Sequence, residues 1–389
     1  MPKLSFVSHL SAGLSAVLVG YASSVVIILQ AATAAGASAT QIESWLLTLG
    51  LIMGLTSIGF SWYYKTPILT AWSTPGAAIL VGSAAHYPLP TLIGAFIVTG
   101  ILIFLTGLIT PLARTLQRIP SALATAMLAA ILLPFCLRAF EPVTSSPTIF
   151  GIMFMTYVLS KRFIPKYTML LLLLTAVSST FLFHSTEIQL PSLTLAQGEW
   201  VNPNFNLIAL FNIAIPLYIV TMLSQNLPGI AMLKSYGYQP PIKPVLMGTG
   251  IVNAITAPFG GFSLNLAAIS AAICMNQTVD KNKNMRYRAV LWAGVFYLLA
   301  GFLASTVVAL FLTLPSDITH MLAGFALLGT LLMCLESMLQ DAHFRESALL
   351  TFLITLSGAN FLGISATLWG LCIGWVYYKI MQPLTKQSA

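Results

Sequence analysis

Charge is what this sequence most lacks. Asp, Glu, Lys and Arg together make up 7% of its 389 residues, while 58% are hydrophobic. A soluble domain carries about 25% charge, so the shortage excludes a soluble globular chain and leaves an all-α polytopic membrane protein. The net charge of +8 does not signal nucleic-acid binding, because the basic residues are spread along short loops rather than clustered. Cysteine is scarce too. Cys136, Cys274, Cys334 and Cys372 stand isolated in or beside apolar runs, without metal-ligand spacing or a disulfide framework, and read as packing residues. A cleavable signal pattern is missing: only Lys3 precedes the first apolar run, which is too long for an h-region with a clear cleavage site. Finally, no Lys, Arg, Asp, Glu or His falls near the centre of an apolar segment. His9, His86, His184, His320 and His343 map to loops or segment ends and read as interfacial side chains. Acid–base chemistry needs such groups within reach. Their absence argues against an intramembrane enzyme, and no cofactor or metal is expected.

What the sequence does have is apolar runs. Hydropathy places fourteen spans, at 10–35, 42–61, 67–83, 89–109, 119–137, 148–159 and 167–183, then at 207–233, 245–257, 262–276, 289–312, 318–335, 347–358 and 361–378. With the N-terminus in the cytoplasm, every basic residue except Arg138 falls in an inside loop, including Lys3, Arg114, Arg118, Lys166 and Lys386. That asymmetry orients membrane proteins, so both termini are expected in the cytoplasm. Glu43, Glu141, Glu187, Glu199 and Asp317 fall outside. The polar stretch 184–206 divides the spans seven and seven, which predicts two repeats, 1–195 and 196–389, entering the membrane with opposite orientation. Many secondary transporters are built so.

The third span, 67–83, carries a helix start in its middle: Ala71-Trp72-Ser73-Thr74-Pro75-Gly76. Ser73 or Thr74 can cap a helix, and Pro75 suits its first turn. A helix from Pro75 to Ser83 is about 13 Å long, under half of a ~30 Å hydrocarbon core. Its N-terminus is therefore expected near the bilayer midplane, and broken helices persist there only when they line a cavity or are buried in protein. The tenth span, 262–276, offers a counterpart, Pro258-Phe259-Gly260-Gly261-Phe262-Ser263-Leu264-Asn265, with glycines to free the backbone and Ser263 to cap a following helix. Gln30 and Gln225 follow similar apolar runs close to half a chain apart. Short, interrupted segments at matching places in two halves point to a transporter binding site.

The gap between these segments is polar but uncharged. Tyr21, Ser23, Ser24 and Gln30 come from the first span; Trp72, Ser73 and Thr74 from the third; Ser224, Gln225 and Asn226 from the eighth; Phe259, Phe262, Ser263 and Asn265 from the tenth. Two helix N-termini with no carboxylate nearby favour an anion, and the aromatic surroundings favour a ligand with a hydrophobic body. An aromatic carboxylate fits both. The candidate substrate-contacting residues are Gln30, Ser73, Thr74, Gly76, Gln225, Asn226, Phe259, Ser263 and Asn265. For each polar one the blander alternative is an interhelical hydrogen bond. Gly50–Gly54 and Gly370–Gly374 are GxxxG pairs that mark either close internal packing or a homodimer face.

At these residues the chain resembles the benzoate/proton symporter (BenE) family. The matching stretches are Gly20-Tyr21-Ala22-Ser23-Ser24 through Gln30-Ala31-Ala32, Leu69-Thr70-Ala71-Trp72-Ser73-Thr74-Pro75-Gly76-Ala77-Ala78, Val220-Thr221-Met222 with Ser224-Gln225-Asn226 and Pro228-Gly229, and Pro258-Phe259-Gly260. The resemblance implies a multi-pass protein of the cytoplasmic membrane that imports benzoate or a similar aromatic acid with protons. Through the wider group of nucleobase–ascorbate and sulfate permeases it implies a core domain of spans 1–4 and 8–11 moving against a gate domain of spans 5–7 and 12–14. That group's nucleobase branch has carboxylates in spans 8 and 10, where this chain has Gln225, Asn226 and Asn265. Glu43 and Glu336 lie only at span edges, so the substrate itself is a candidate proton carrier. The sequence leaves open an anion channel, or a permease for another small anion or a nucleobase, on the same scaffold.

Overall fold

The computed structural model describes residues 2–22, 24–109, 111, 120–183, 195–359 and 361–381. Ser23, Arg114, Arg118, His184, Glu187 and Lys386 lie outside them, as do the side chains of Lys3 and Lys166. Among the described residues the chain is all-α apart from one two-stranded ladder and an isolated bridge between Phe361 and Ile364. Among the described residues, six helices are long and apolar enough to cross a membrane: Phe6–Ala34, Ala39–Tyr64, Leu89–Leu108, Ser121–Ser145, Leu207–Ser235 and Ser316–Gln340. A further pair, Lys283–Phe302 and Ala304–Leu312, is bent by 57°. Other expected spans are shorter helices, Pro147–Phe163, Thr168–Phe183, Ile242–Thr256, Arg345–Ser357 and Ala366–Met381.

The helices pack in two groups. Tyr287–Phe302 runs along Ala39–Tyr64 and Pro2–Ala22, and Ile242–Thr256 along Leu89–Leu108. Separately, Ser316–Gln340 and Arg345–Ser357 run along Ser121–Arg138, and Ala366–Met381 along Arg345–Ser357. Both GxxxG pairs are consumed inside the chain. A Cβ on Gly50 would lie 2.5 Å from the Gly301 Cα, and one on Gly374 would lie 2.9 Å from the Ser347 carbonyl oxygen. Close backbone approach is what small residues allow between membrane helices.

The eighth span differs from an ordinary helix. Within Leu207–Ser235 the chain makes π-helical turns at Leu210–Ala214 and Thr221–Asn226. Each turn precedes a proline, Pro216 or Pro228. A proline ring clashes with the carbonyl four residues back, here that of Asn212 or Ser224, and a wider turn relieves the clash. Such π-turns often mark functional sites. Residues 195–206 form no helix. They are tied to the helix ends by the Val201 amide donating to the Pro258 carbonyl and the Asn204 amide to that of Pro90, at 2.9 and 2.8 Å.

Candidate functional site

Two extended segments cross inside the first helix group. Thr70–Ala71 pairs antiparallel with Asn265–Leu266, Thr70 opposite Leu266 and Ala71 opposite Asn265. Extended backbone in an apolar interior must find partners, and here neighbouring side chains supply them. Ser57 and Ser61 of Ala39–Tyr64 accept from the amides of Thr70 and Ile68, both at 3.0 Å. On the other segment the Leu266 amide donates to Asn226 Oδ1 at 3.0 Å, and the Leu264 amide to Asn253 Oδ1 at 3.4 Å. The Ala267 amide donates to the Leu69 carbonyl at 2.9 Å.

From this crossing the chain enters the Thr74–Ser83 helix, 10 residues long, about 15 Å. Its start is as the sequence predicts: Ser73 Oγ caps it by accepting from the Gly76 amide at 3.0 Å, with Pro75 in the first turn. Thr221 Oγ1 donates to the same oxygen at 3.3 Å, so the π-turn grips this segment as well. Gly76 is buried, and a Cβ on it would lie 2.7 Å from Leu217 Cδ1 and 2.9 Å from Ser73 Oγ. Thr74 is half-buried. Trp72 lies across the crossing, its indole donating to Ser24 Oγ at 2.7 Å and its ring 5.1 Å from that of Tyr21.

The second segment departs from expectation. Ser263 does not cap a helix; Ile269–Met275 starts six residues later, after Ala268, without a side-chain cap. The ladder at Asn265–Leu266 and the bond from Ala267 hold the chain extended past Ser263, which itself adopts φ +45°. Its hydroxyl is fully buried and has no hydrogen-bond partner, and neither has Asn265 Oδ1, although Asn265 Nδ2 donates to the Ser263 carbonyl at 3.0 Å. The other expected residues scatter. Asn226 is fully buried between Leu266 and Met222, Nδ2 lying 3.3 Å from the Met222 sulfur. Gln225, its neighbour in the π-turn, is half-buried. Phe259 packs against Trp200 with ring centroids 5.2 Å apart, and its carbonyl accepts from Ser44 and Thr48 at 2.9 and 3.1 Å. It thus belongs with residues 195–206 and the start of Ala39–Tyr64 rather than with the crossing. Gln30 donates to the Thr319 carbonyl at 3.2 Å, joining the two helix groups.

Gln30 also lines one of two cavities where the helix groups meet. One, of about 390 Å³, lies among Gln30, Thr33, Phe311 and His320; the other, of about 410 Å³, among Ile79, His86, Asn212 and Ser365. Both have Val81, Phe135 and Arg138 in their walls. Neither wall includes Ser73, Thr74, Gly76, Gln225, Asn226, Phe259, Ser263 or Asn265.

Sequence reasoning missed a second polar cluster. His9, expected at the interface, is only 3% exposed, with Nε2 3.1 Å from Asp280 Oδ2. Arg286 donates to the carbonyls of Asp280 and Met275 at 2.7 and 2.9 Å, tying down the same loop. The loop after Ile269–Met275 folds onto the first helix, a contact that hydropathy alone does not encode. Among the described residues no group of three metal-ligating side chains forms.

The family model described as "BenE: Benzoate membrane transport protein" matches residues 4–380. The chain is 40% identical over 393 aligned residues to "Inner membrane protein YdcO" of Escherichia coli (strain K12), covering 97% of each chain. It is 36% identical over 370 residues to the "Benzoate membrane transport protein" of Acinetobacter baylyi (strain ATCC 33305 / BD413 / ADP1), covering 95% of this chain and 94% of that one. Among solved structures it resembles the transmembrane domain of a cyanobacterium bicarbonate transporter, BicA, with TM-score 0.62, 15% identity and coverage of 96% and 97%. It also resembles SLC26A9, with TM-score 0.64 and 11% identity over 98% of this chain and 66% of that one. At such identities these two likenesses establish the fold.

Proposed function

The chain belongs to the BenE family of benzoate membrane transport proteins, and we propose that it imports benzoate or a related aromatic carboxylate, with protons, across the cytoplasmic membrane. The observation that carries this reading is the crossing of Thr70–Ala71 with Asn265–Leu266 in a chain of this family. Polar backbone, the start of Thr74–Ser83 and two unpartnered side-chain oxygens converge there without a charged residue. A helix start attracts a carboxylate. A buried hydroxyl without a partner, such as that of Ser263, costs about 1–3 kcal/mol, which a substrate oxygen would offset. Ser73, Thr74, Gly76, Gln225, Ser263 and Asn265 form the proposed site, with Asn226 as its support. Gln30 belongs to its approach, and Phe259 drops to the periphery.

Alternating access fits the two helix groups: one carries the crossing and moves as the core, and the other, built on Ser121–Arg138, acts as the gate. The loop charges support cytoplasmic termini. The crossing offers no acidic or basic side chain of its own, so the bound carboxylate itself takes up a proton from the outside solution and carries it across as the neutral acid. Asn265 Oδ1, an acceptor without a donor, suits a carboxylic O–H.

Thermal unfolding of the purified protein with a panel of small molecules tests the substrate class. Benzoate and ring-substituted benzoates are expected to raise the melting temperature, and uracil, xanthine and bicarbonate to leave it unchanged. Stabilisation by a nucleobase or bicarbonate but not by benzoate would overturn the reading in favour of another permease on this scaffold.

A further inference from the structure

Arg138 is the exception to the charge asymmetry, and its surroundings explain how an exception is useful. It ends the Ser121–Arg138 helix. By the loop charges it belongs to the side expected to carry Glu43, Glu141, Glu199 and Asp317, with the other basic residues expected on the opposite side. Charges of one sign around a lone cation normally neutralise it, yet the one ion pair among the described residues is His9–Asp280. Asp317 accepts from the hydroxyls of Ser145 and Ser146, both at 2.8 Å. Among the described residues no carboxylate pairs with the guanidinium, which stands in the walls of both cavities. An arginine keeps its charge at any physiological pH and offers a planar fork that matches a carboxylate.

The rest of the walls supply the other half of a ligand. Val81, Phe135, Phe311 and Leu314 make the wall of one cavity mostly apolar, while the other mixes Ile79, Val81 and Phe135 with polar groups such as His86 and Asn212; volumes of about 390 and 410 Å³ fall within the range of small-molecule sites. Val81 comes from the helix that starts at the crossing, and Phe135 and Arg138 from the opposing helix group. The walls thus span the joint that must open for access to the crossing.

We propose that this cavity pair is a separate entry site for aromatic carboxylates, in which Arg138 receives the carboxylate and the Val81–Phe135 wall receives the ring before the substrate moves on to the crossing. It rests on the reading that the chain transports such acids. The site collects anions at an otherwise acidic face, by charge attraction that salt screens.

Initial rates of radiolabelled benzoate uptake by cells expressing the protein test it, across benzoate concentrations and at low and high ionic strength. Arg138→Gln is expected to raise KM about tenfold, the usual scale for losing a charge-assisted pair, with maximal rate kept within about twofold. The wild-type KM is expected to rise with salt and that of the variant to stay flat, a difference that a merely structural role would not produce. If Arg138→Gln fails to reach the membrane, Arg138→Lys carries the test through a smaller rise in KM with salt dependence retained. An unchanged KM, or a fall in maximal rate alone, overturns the entry site while leaving the transport reading intact. Absence of protein-dependent benzoate uptake by the wild type overturns the transport reading and this inference with it.

Discussion

Asn226 holds Leu266: the side-chain oxygen of one accepts the backbone amide of the other at 3.0 Å, at the point where two extended segments cross in a helical protein. The same π-turn reaches the opposite segment through Thr221 and Ser73. One distorted helical turn thus fixes both halves of the crossing. Asn226→Ala strands a buried amide, at a cost of about 1–3 kcal/mol, and is expected to lower the melting temperature in detergent. Residual uptake should keep its KM for benzoate. An unaltered melting temperature with a raised KM would make Asn226 a substrate ligand instead of a support.

Ser263 allows fold and function to be separated. Its φ of +45° is a conformation glycine adopts at little cost, so Ser263→Gly removes the unpartnered hydroxyl without straining the chain. The variant is expected to match the wild type in thermal stability or exceed it, and to lose about fivefold or more in benzoate affinity, as removal of one hydrogen-bonding partner does. Isothermal titration would show this; equal affinity would remove Ser263 from the site.

Gly76 is a packing constraint beside the helix cap. Gly76→Ala places a Cβ against Leu217 Cδ1 and the Ser73 hydroxyl that caps the helix. Overpacking of this kind costs about 1–3 kcal/mol. The expected result is lower stability and slower uptake, with partial recovery of stability in Gly76→Ala/Leu217→Ala because the nearest clash is with a flexible side-chain end. No recovery would show that the Ser73 contact dominates.

At Gly260 no such relief exists. Its φ is +92° and a Cβ would overlap the fully buried Trp45 indole. Gly260→Ala combines left-handed strain with a clash in the aromatic cluster of Trp45, Phe96 and Phe262. Little folded protein is expected in membranes, measured by size-exclusion of a fluorescent fusion; a normal monodisperse peak would contradict this.

Much of the fold could be read from composition, because a chain with 7% charge has one solvent available to it. Ser73 and Pro75 announced their helix start because capping is local chemistry. The second segment was harder. Ser263 looks like a cap, but a strand pairing from residues far away in sequence keeps it extended, and no local signal marks that pairing. Asn226 was singled out for its polarity beside Pro228-Gly229, and its bond to a backbone amide belongs to the blander alternative that polarity always carries. Phe259 was grouped by sequence proximity, and Trp200 draws it elsewhere. The His9–Asp280 contact depends on how a loop folds back. Arg138 was visible as the one basic residue on its side; only the walls around it show what that position offers.

The central claim is coupled transport of an aromatic carboxylate, and benzoate flux into proteoliposomes under imposed gradients tests it most directly, with protein-free liposomes subtracted because the neutral acid crosses lipid unaided. The account predicts a saturable, protein-dependent initial rate that rises when the outside is made acidic and persists with the membrane potential clamped at zero. A protein-dependent flux that follows the membrane potential and ignores the pH gradient would contradict it, as a channel on this scaffold would behave.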